Sequence, residues 1–130
     1  MQALWKDREK RIVNLQLFSE EAEKLASQIG ARARNSSRDK QSQIRRFYDE
    51  VIRLNSRATA RPNEWENIKP LVYMLTAKAA YARGRNLISD EFLKFIKDYV
   101  NQIEEPEDLN VFSNFFEAFM GYYKLHGPRN

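Results

Sequence analysis

The side chains of this 130-residue chain that could do chemistry are mainly basic, and they cluster in its first half. Residues 32–61 hold nine Lys or Arg and three Asp or Glu, a net charge of +6, whereas the whole chain carries +4. This asymmetry indicates a polyanion, an acidic protein partner, or a basic surface that only keeps the protein in solution. The segment AKAAYARGR, residues 77–85, poses the same alternatives, because it is either a solvated helix end or a surface for an acidic ligand.

No residues have the spacing of a catalytic or metal site. The single histidine, His126, lies beside Gly127 and Pro128 and is expected at the surface. The sequence has no HExxH, GxSxG or Walker motif, and no cysteine for a disulfide, a thiolate metal site or a nucleophile. The acidic segment 104–108, EEPED, is interpreted as a solvated linker. The sequence therefore predicts a protein that is not an enzyme and needs neither metal nor cofactor.

Helical periodicity predicts the element that carries most of the basic residues. In segment 43–58 apolar residues recur at the spacing of one helical face, and arginines fall on the opposite face. The apolar set is Ile44, Phe47, Tyr48, Val51 and Ile52, and the basic set is Arg46, Arg53 and Arg57.

The remaining segments predict further helices and no convincing strand. Segment 61–85 has an apolar seam but contains Pro70, which predicts either a helix that begins near Pro70 or one kinked helix. Ser89 is expected to cap the next helix, residues 89–104. A last helix from residue 109 carries a phenylalanine stripe, for which core packing is favoured over a platform for stacking bases. The stripe is Phe112, Phe115, Phe116 and Phe119.

The predicted fold is all-α, a single compact bundle of about five helices. Residues 1–35 are expected to form an N-terminal basic arm or helix, mobile or exchanged with another copy, and residues 36–130 a helical core domain. The whole chain has many apolar residues and few glycines and prolines, a composition that favours long helices over a sheet. No segment has the length of a signal peptide core or a membrane span, so a cytoplasmic protein without membrane contact is expected.

Three blocks of the sequence together resemble the small subunit of type III-A CRISPR effector complexes, the Csm-type small subunit. They are QIRRFYDEV (43–51), KPLVYMLTAKAAYARGR (69–85) and FSNFFEAFMGYYKLHG (112–127). In that family a basic pair precedes a Phe/Tyr-x-x-Val helix, and a Lys-x-x-Tyr-Ala-x-x-Arg segment follows. A Phe-x-x-Phe-x-x-Ala-x-x-x-Tyr-x-Lys helix closes the chain. The resemblance covers about residues 36–127 and leaves out the first 35.

The resemblance implies a helical protein without catalytic activity, stacked in several copies with other subunits beside the guide RNA and its paired target RNA. It also implies that the basic residues of the three blocks face RNA. Arg83 departs from the helical seam, so partial burial or an ion pair is the alternative for that residue. The candidate nucleic-acid contacts are Arg45, Arg46, Arg53, Lys78, Arg83, Arg85 and Lys124.

Two other functions stay open. A helical scaffold could dock its basic face on an acidic protein partner, which the charge of residues 32–61 equally permits. A helix-turn-helix DNA-binding protein is less favoured, because no short glycine-containing turn joins two compact helices.

Overall fold

The computed structural model describes all 130 residues, which form five α-helices and one small N-terminal hairpin. The hairpin pairs β1 (Trp5–Asp7) with β2 (Ile12–Val13), and a 3-10 turn at Leu15–Phe18 follows it. The α-helices are α1 (Glu20–Ala33), α2 (Gln41–Ala60), α3 (Trp65–Gly84), α4 (Asp90–Val100) and α5 (Pro106–His126), with a 3-10 turn at Pro62–Glu64 before α3. The prediction of an all-α bundle of about five helices is confirmed. None of these helices combines the length and the apolar composition that crossing a membrane requires.

The centre of the bundle is α5. It packs most extensively against α1 and α2, and its phenylalanine stripe is fully buried. Phe95 of α4 stacks on Phe119 with ring centroids 5.2 Å apart, and it meets Phe116 edge to face at 5.3 Å. Such ring pairs add roughly 0.5–1.5 kcal/mol each to the effect of area burial alone. The prediction that this stripe forms core is therefore confirmed.

Helix α3 is continuous from Trp65 to Gly84 and contains Pro70. The proline ring removes one backbone donor, and Pro70 lies on the exposed side of the helix. The alternative in which the helix begins near Pro70 is therefore wrong. The predicted cap of α4 is confirmed, because the Ser89 hydroxyl accepts a hydrogen bond from the Phe92 N–H at 3.1 Å.

The N-terminal hairpin differs from the expectation that the chain has no strand. Its strands are three and two residues long, too short to show a period of two, and its turn uses Arg11 at φ 57° without a glycine. The hairpin lies against its own bundle, where Leu4 and Leu17 are buried in the common core. The division of the chain at residue 35 stays a prediction, although one continuous hydrophobic core includes residues on both sides of it.

Candidate nucleic-acid interface

A groove of about 240 Å³ between α2 and α3 brings three of the predicted basic residues together. Arg46 lines it from α2, Lys78 from α3, and Arg85 from the turn that directly follows α3. Lys78 and Tyr81 are three residues apart on one face of α3, and Arg85 follows Tyr81 by four residues at the C-cap of the helix. The floor of the groove is made by Phe47, Leu75, Ala82 and Leu87.

The groove carries an excess of positive charge. Arg46, Lys78 and Arg85 are exposed, and none of them forms an ion pair within the chain. The one carboxylate that lines the groove, Glu50, accepts a hydrogen bond from Arg53 Nη2 at 2.5 Å. That bond lowers the pKa of Glu50 against the opposing effect of burial, and the charge of Lys78 lowers it further. Three cations therefore stay free to meet an anion.

The structure gives Arg53 and Arg83 partners within the chain. The bond to Glu50 raises the pKa of Arg53, whose side chain lies beside the groove without lining it. Arg83 Nε donates to Asp90 Oδ1 at 2.6 Å, which raises the pKa of Arg83 and lowers that of Asp90. This pair joins the end of α3 to the start of α4. Arg83 thus takes the ion-paired alternative and lies outside the groove.

Arg45 and Lys124 lie away from the groove. Arg45 is exposed on α2, about 100° around the helix from Arg46, and its charge acts on Tyr48, whose ring meets α5. Lys124 lines a second cavity of about 760 Å³ with Arg34 and Arg129, and none of these three forms an ion pair. Arg34 and Arg129 are not among the contacts predicted from the sequence, although Arg34 belongs to the basic segment 32–61.

The second basic cavity depends on a close backbone contact between α1 and the end of α5. A Cβ on Gly30 would lie 2.6 Å from the carbonyl oxygen of His126, so only glycine fits there. The Gln41 side-chain amide donates to the carbonyl oxygens of Tyr123 and Pro128, both at 2.9 Å. These contacts hold Lys124 and Arg129 beside Arg34.

The interpretation of segment 104–108 as a solvated linker is wrong for Asp108. Helix α5 begins at Pro106, which puts Asp108 in its first turn and fully buries the carboxylate. Oδ1 accepts hydrogen bonds from Trp5 Nε1 and Arg8 Nη1, both at 2.7 Å. Oδ2 accepts from the backbone N–H groups of Glu104 at 2.9 Å and Glu105 at 3.0 Å.

These donors set the protonation of Asp108. Burial alone would raise the pKa of Asp108, but the four hydrogen bonds together outweigh burial and lower it. The carboxylate is therefore charged at neutral pH and has no free lone pair facing solvent. It fastens the N-terminal hairpin to α5, which is a structural task that the sequence analysis did not assign.

A third cavity lacks the excess of positive charge that these two carry. A groove of about 570 Å³ between α1 and α4 is lined by three basic and three acidic side chains, so its side chains have no net charge. No three His, Asp or Glu side chains are grouped to hold a metal ion.

Comparison with known proteins gives the chain a family. A family model described as Csm2 Type III-A matches residues 14–129, which includes α1 and extends the resemblance upstream of residue 36. Comparison with curated proteins and with solved structures found no match. Because the match covers nearly the whole chain, this protein belongs to the Csm2 Type III-A family, the small subunits of type III-A CRISPR Csm complexes.

Proposed function

We propose that this subunit is a cytoplasmic, non-catalytic RNA-binding component of its complex, and that the groove between α2 and α3 holds the RNA backbone. The observation that carries the proposal is the convergence of Arg46, Lys78 and Arg85 on one groove without any carboxylate partner. The RNA would be the guide RNA and the target RNA paired with it. The other subunits of the complex are the further partners.

The chemistry of the groove suits phosphate contacts that do not depend on sequence. Lys and Arg side chains neutralise phosphate oxygens, and each contact releases bound counterions. The small side chain of Ala82 in the floor lets a backbone approach the helix surface closely. Base pairing between guide and target reads the sequence, so the protein needs only to follow the backbone.

The residues of the second basic cavity and the remaining candidates are expected to contribute to RNA binding to different extents. Lys124 is free and lies beside two more arginines, so it offers an additional phosphate contact at the end of the bundle. Arg45 is free on the neighbouring face of α2. Arg53 and Arg83 must give up or share a carboxylate before they meet RNA, so their contributions are expected to be smaller.

The test is equilibrium binding of labelled RNA by the full chain over a range of salt concentrations. Arg46→Ala and Lys78→Ala should each weaken binding to unrelated RNA sequences about equally. Each should also reduce the slope of log affinity against log salt by roughly 0.7–0.9, which is one phosphate contact. Lys97→Ala is the matched control, because Lys97 is exposed on α4 and lines none of these cavities.

The same variants separate RNA binding from docking on an acidic protein. Variants that bind RNA like the parent but fail to assemble with the other subunits would favour the scaffold. Equal loss in Lys97→Ala would show that only the total charge matters and would contradict the proposal. Thermal unfolding should be nearly unchanged in all three, because exposed substitutions usually change stability by less than about 0.5 kcal/mol.

The proposal includes no chemical step. Labelled RNA incubated with the purified subunit and divalent cations should therefore remain intact. Cleavage that stays with the protein through purification, and is lost when one carboxylate is changed, would contradict this part of the proposal.

We further propose that copies of the subunit associate, with the N-terminal segment at the contact. The bundle buries Leu4 and Leu17 of this segment but not all of its apolar side chains, because Ile12 is 44% exposed and Leu15 75% exposed. Replacing both Ile12 and Leu15 with serine tests the contact without removing buried residues. Light scattering should show a lower mass for this variant, and an unchanged mass would contradict the proposal.

A further inference from the structure

Tyr81 is a tyrosine of this protein that neither packs against the core nor pairs with another ring. It is 69% exposed, and its hydroxyl forms no hydrogen bond within the chain. The other tyrosines are ring-paired, hydrogen-bonded or packed against the core, as Tyr73 shows with its hydroxyl donating to the Ile103 carbonyl at 2.9 Å. An exposed aromatic ring with no hydrogen bond and no second ring against it has a surface free for a ligand.

The surroundings of Tyr81 identify the chemistry of that ligand. Its ring lines the same groove as Arg46, Lys78 and Arg85, and the Arg85 guanidinium lies 5.9 Å from the ring centroid. An exposed ring between free cations is the arrangement with which proteins hold single-stranded nucleic acid. The cations meet the phosphates, and the ring meets the face of a base.

We propose that Tyr81 stacks on the base of an unpaired nucleotide, so that the groove prefers single-stranded or locally unpaired RNA to a continuous duplex. This inference rests on the proposed RNA-binding function and specifies its ligand. In a duplex each base already stacks on its neighbours, and a side chain in a surface groove cannot reach its face. An unpaired base offers that face to the tyrosine while its phosphates stay beside Lys78 and Arg85.

The exposed face of α3 also offers a different explanation for Tyr81. Met74 is 51% exposed and lies about two turns before Tyr81 on α3, so the two residues could belong to an apolar surface for a protein partner. Met74 does not line the groove. If Tyr81 binds RNA, Met74→Ala should leave RNA binding unchanged. If Tyr81 and Met74 form a surface for a protein partner, Met74→Ala should have the same effect as Tyr81→Ala.

The experiment measures binding of the full chain to a short single-stranded oligoadenylate and to an RNA duplex of equal length. Tyr81→Ala should weaken binding to the single strand by about fivefold or more, because one base stacked on an aromatic ring usually contributes at least that factor. Duplex binding should change by less than twofold. Tyr81→Phe keeps the ring and should bind like the parent, and Met74→Ala is the control for lost apolar surface.

A second readout follows the stack directly. A fluorescent adenine analogue in the single strand should be quenched on binding to the parent and to Tyr81→Phe, and stay bright on Tyr81→Ala. The inference is overturned if Tyr81→Ala binds the single strand like the parent, or if it loses duplex binding equally. It is also overturned if Met74→Ala has the same effect, or if Tyr81→Ala changes the mass by light scattering.

Failure of this inference is distinguishable from failure of the proposed function. If Arg46→Ala and Lys78→Ala weaken binding while Tyr81→Ala does not, the phosphate groove stands and only the stacking is wrong. If none of the three variants changes binding, both proposals are wrong.

Discussion

Removing the buried carboxylate of Asp108 should destabilise this protein far more than removing any other acidic side chain of its segment. Asp108→Ala leaves the indole N–H of Trp5 and two backbone N–H groups at the start of α5 without their acceptor. Each of these groups is partly buried, and an unsatisfied buried donor costs about 1–3 kcal/mol. Arg8 is 44% exposed and regains water, so it adds little. We expect a loss of about 3–5 kcal/mol in the free energy of unfolding.

Urea denaturation followed by far-UV circular dichroism measures this loss. Glu107→Ala is the matched control, because Glu107 lies in the same turn, is exposed and forms no ion pair or side-chain hydrogen bond. It should change stability by less than about 0.5 kcal/mol. A small domain has about 5–15 kcal/mol in total, so the loss expected in Asp108→Ala is a large share of the free energy of unfolding. A loss below about 1 kcal/mol in Asp108→Ala would refute the reasoning, because it would mean that the four donors find other acceptors or water.

Four further predictions concern the pH dependence of Asp108 and other contacts of the fold. The pKa of Asp108 in the folded protein lies below its unfolded value of about 3.9. The stabilisation by this carboxylate is therefore complete above that pH and is lost as the pH falls through the folded pKa. Urea titrations should find a smaller loss of stability in acid for Asp108→Asn. The pKa of Asp39 is raised by burial and acts in the opposite direction, so Asp39→Asn should make the acid loss steeper. Gly30→Ala should cost about 1–3 kcal/mol in urea denaturation because of the clash with the end of α5, whereas Gly121→Ala, with open space around it, should stabilise by up to about 1 kcal/mol. Ser89→Ala should lower the melting temperature through the loss of about 1 kcal/mol of helix capping, and an unchanged melting temperature would contradict the role of its hydroxyl.

Local signals suffice to predict those parts of the fold that local physics determines. The apolar face of α2 follows from residue spacing alone, and the start of α4 follows from the hydroxyl of Ser89. The hairpin could not be predicted in this way, because its strands are very short and its anchor, Trp5 to Asp108, joins residues 103 positions apart. For the same reason the carboxylate of Asp108 looks in the sequence like one more acid in a charged linker.

The candidate site, like the fold, could be predicted from the sequence only in part. The family resemblance predicts Arg46, Lys78 and Arg85 as RNA contacts, but only the packing of α2 on α3 places them in one groove. The pairing of Arg53 with Glu50 could be expected from their spacing of three residues on one helix. The pairing of Arg83 with Asp90 could not, because a turn between two helices sets that distance.

The position of α5 has a consequence for how the protein is made. The helix that fills the middle of the bundle is the last of the five to leave the ribosome, and α1, α2 and α4 bury their apolar faces against it. Until it emerges, the apolar faces of α1, α2 and α4 that pack against it have no partner, a state prone to aggregation. The native structure therefore forms only once α5 has emerged, and a message cut short before residue 106 should yield only material for chaperones and proteases.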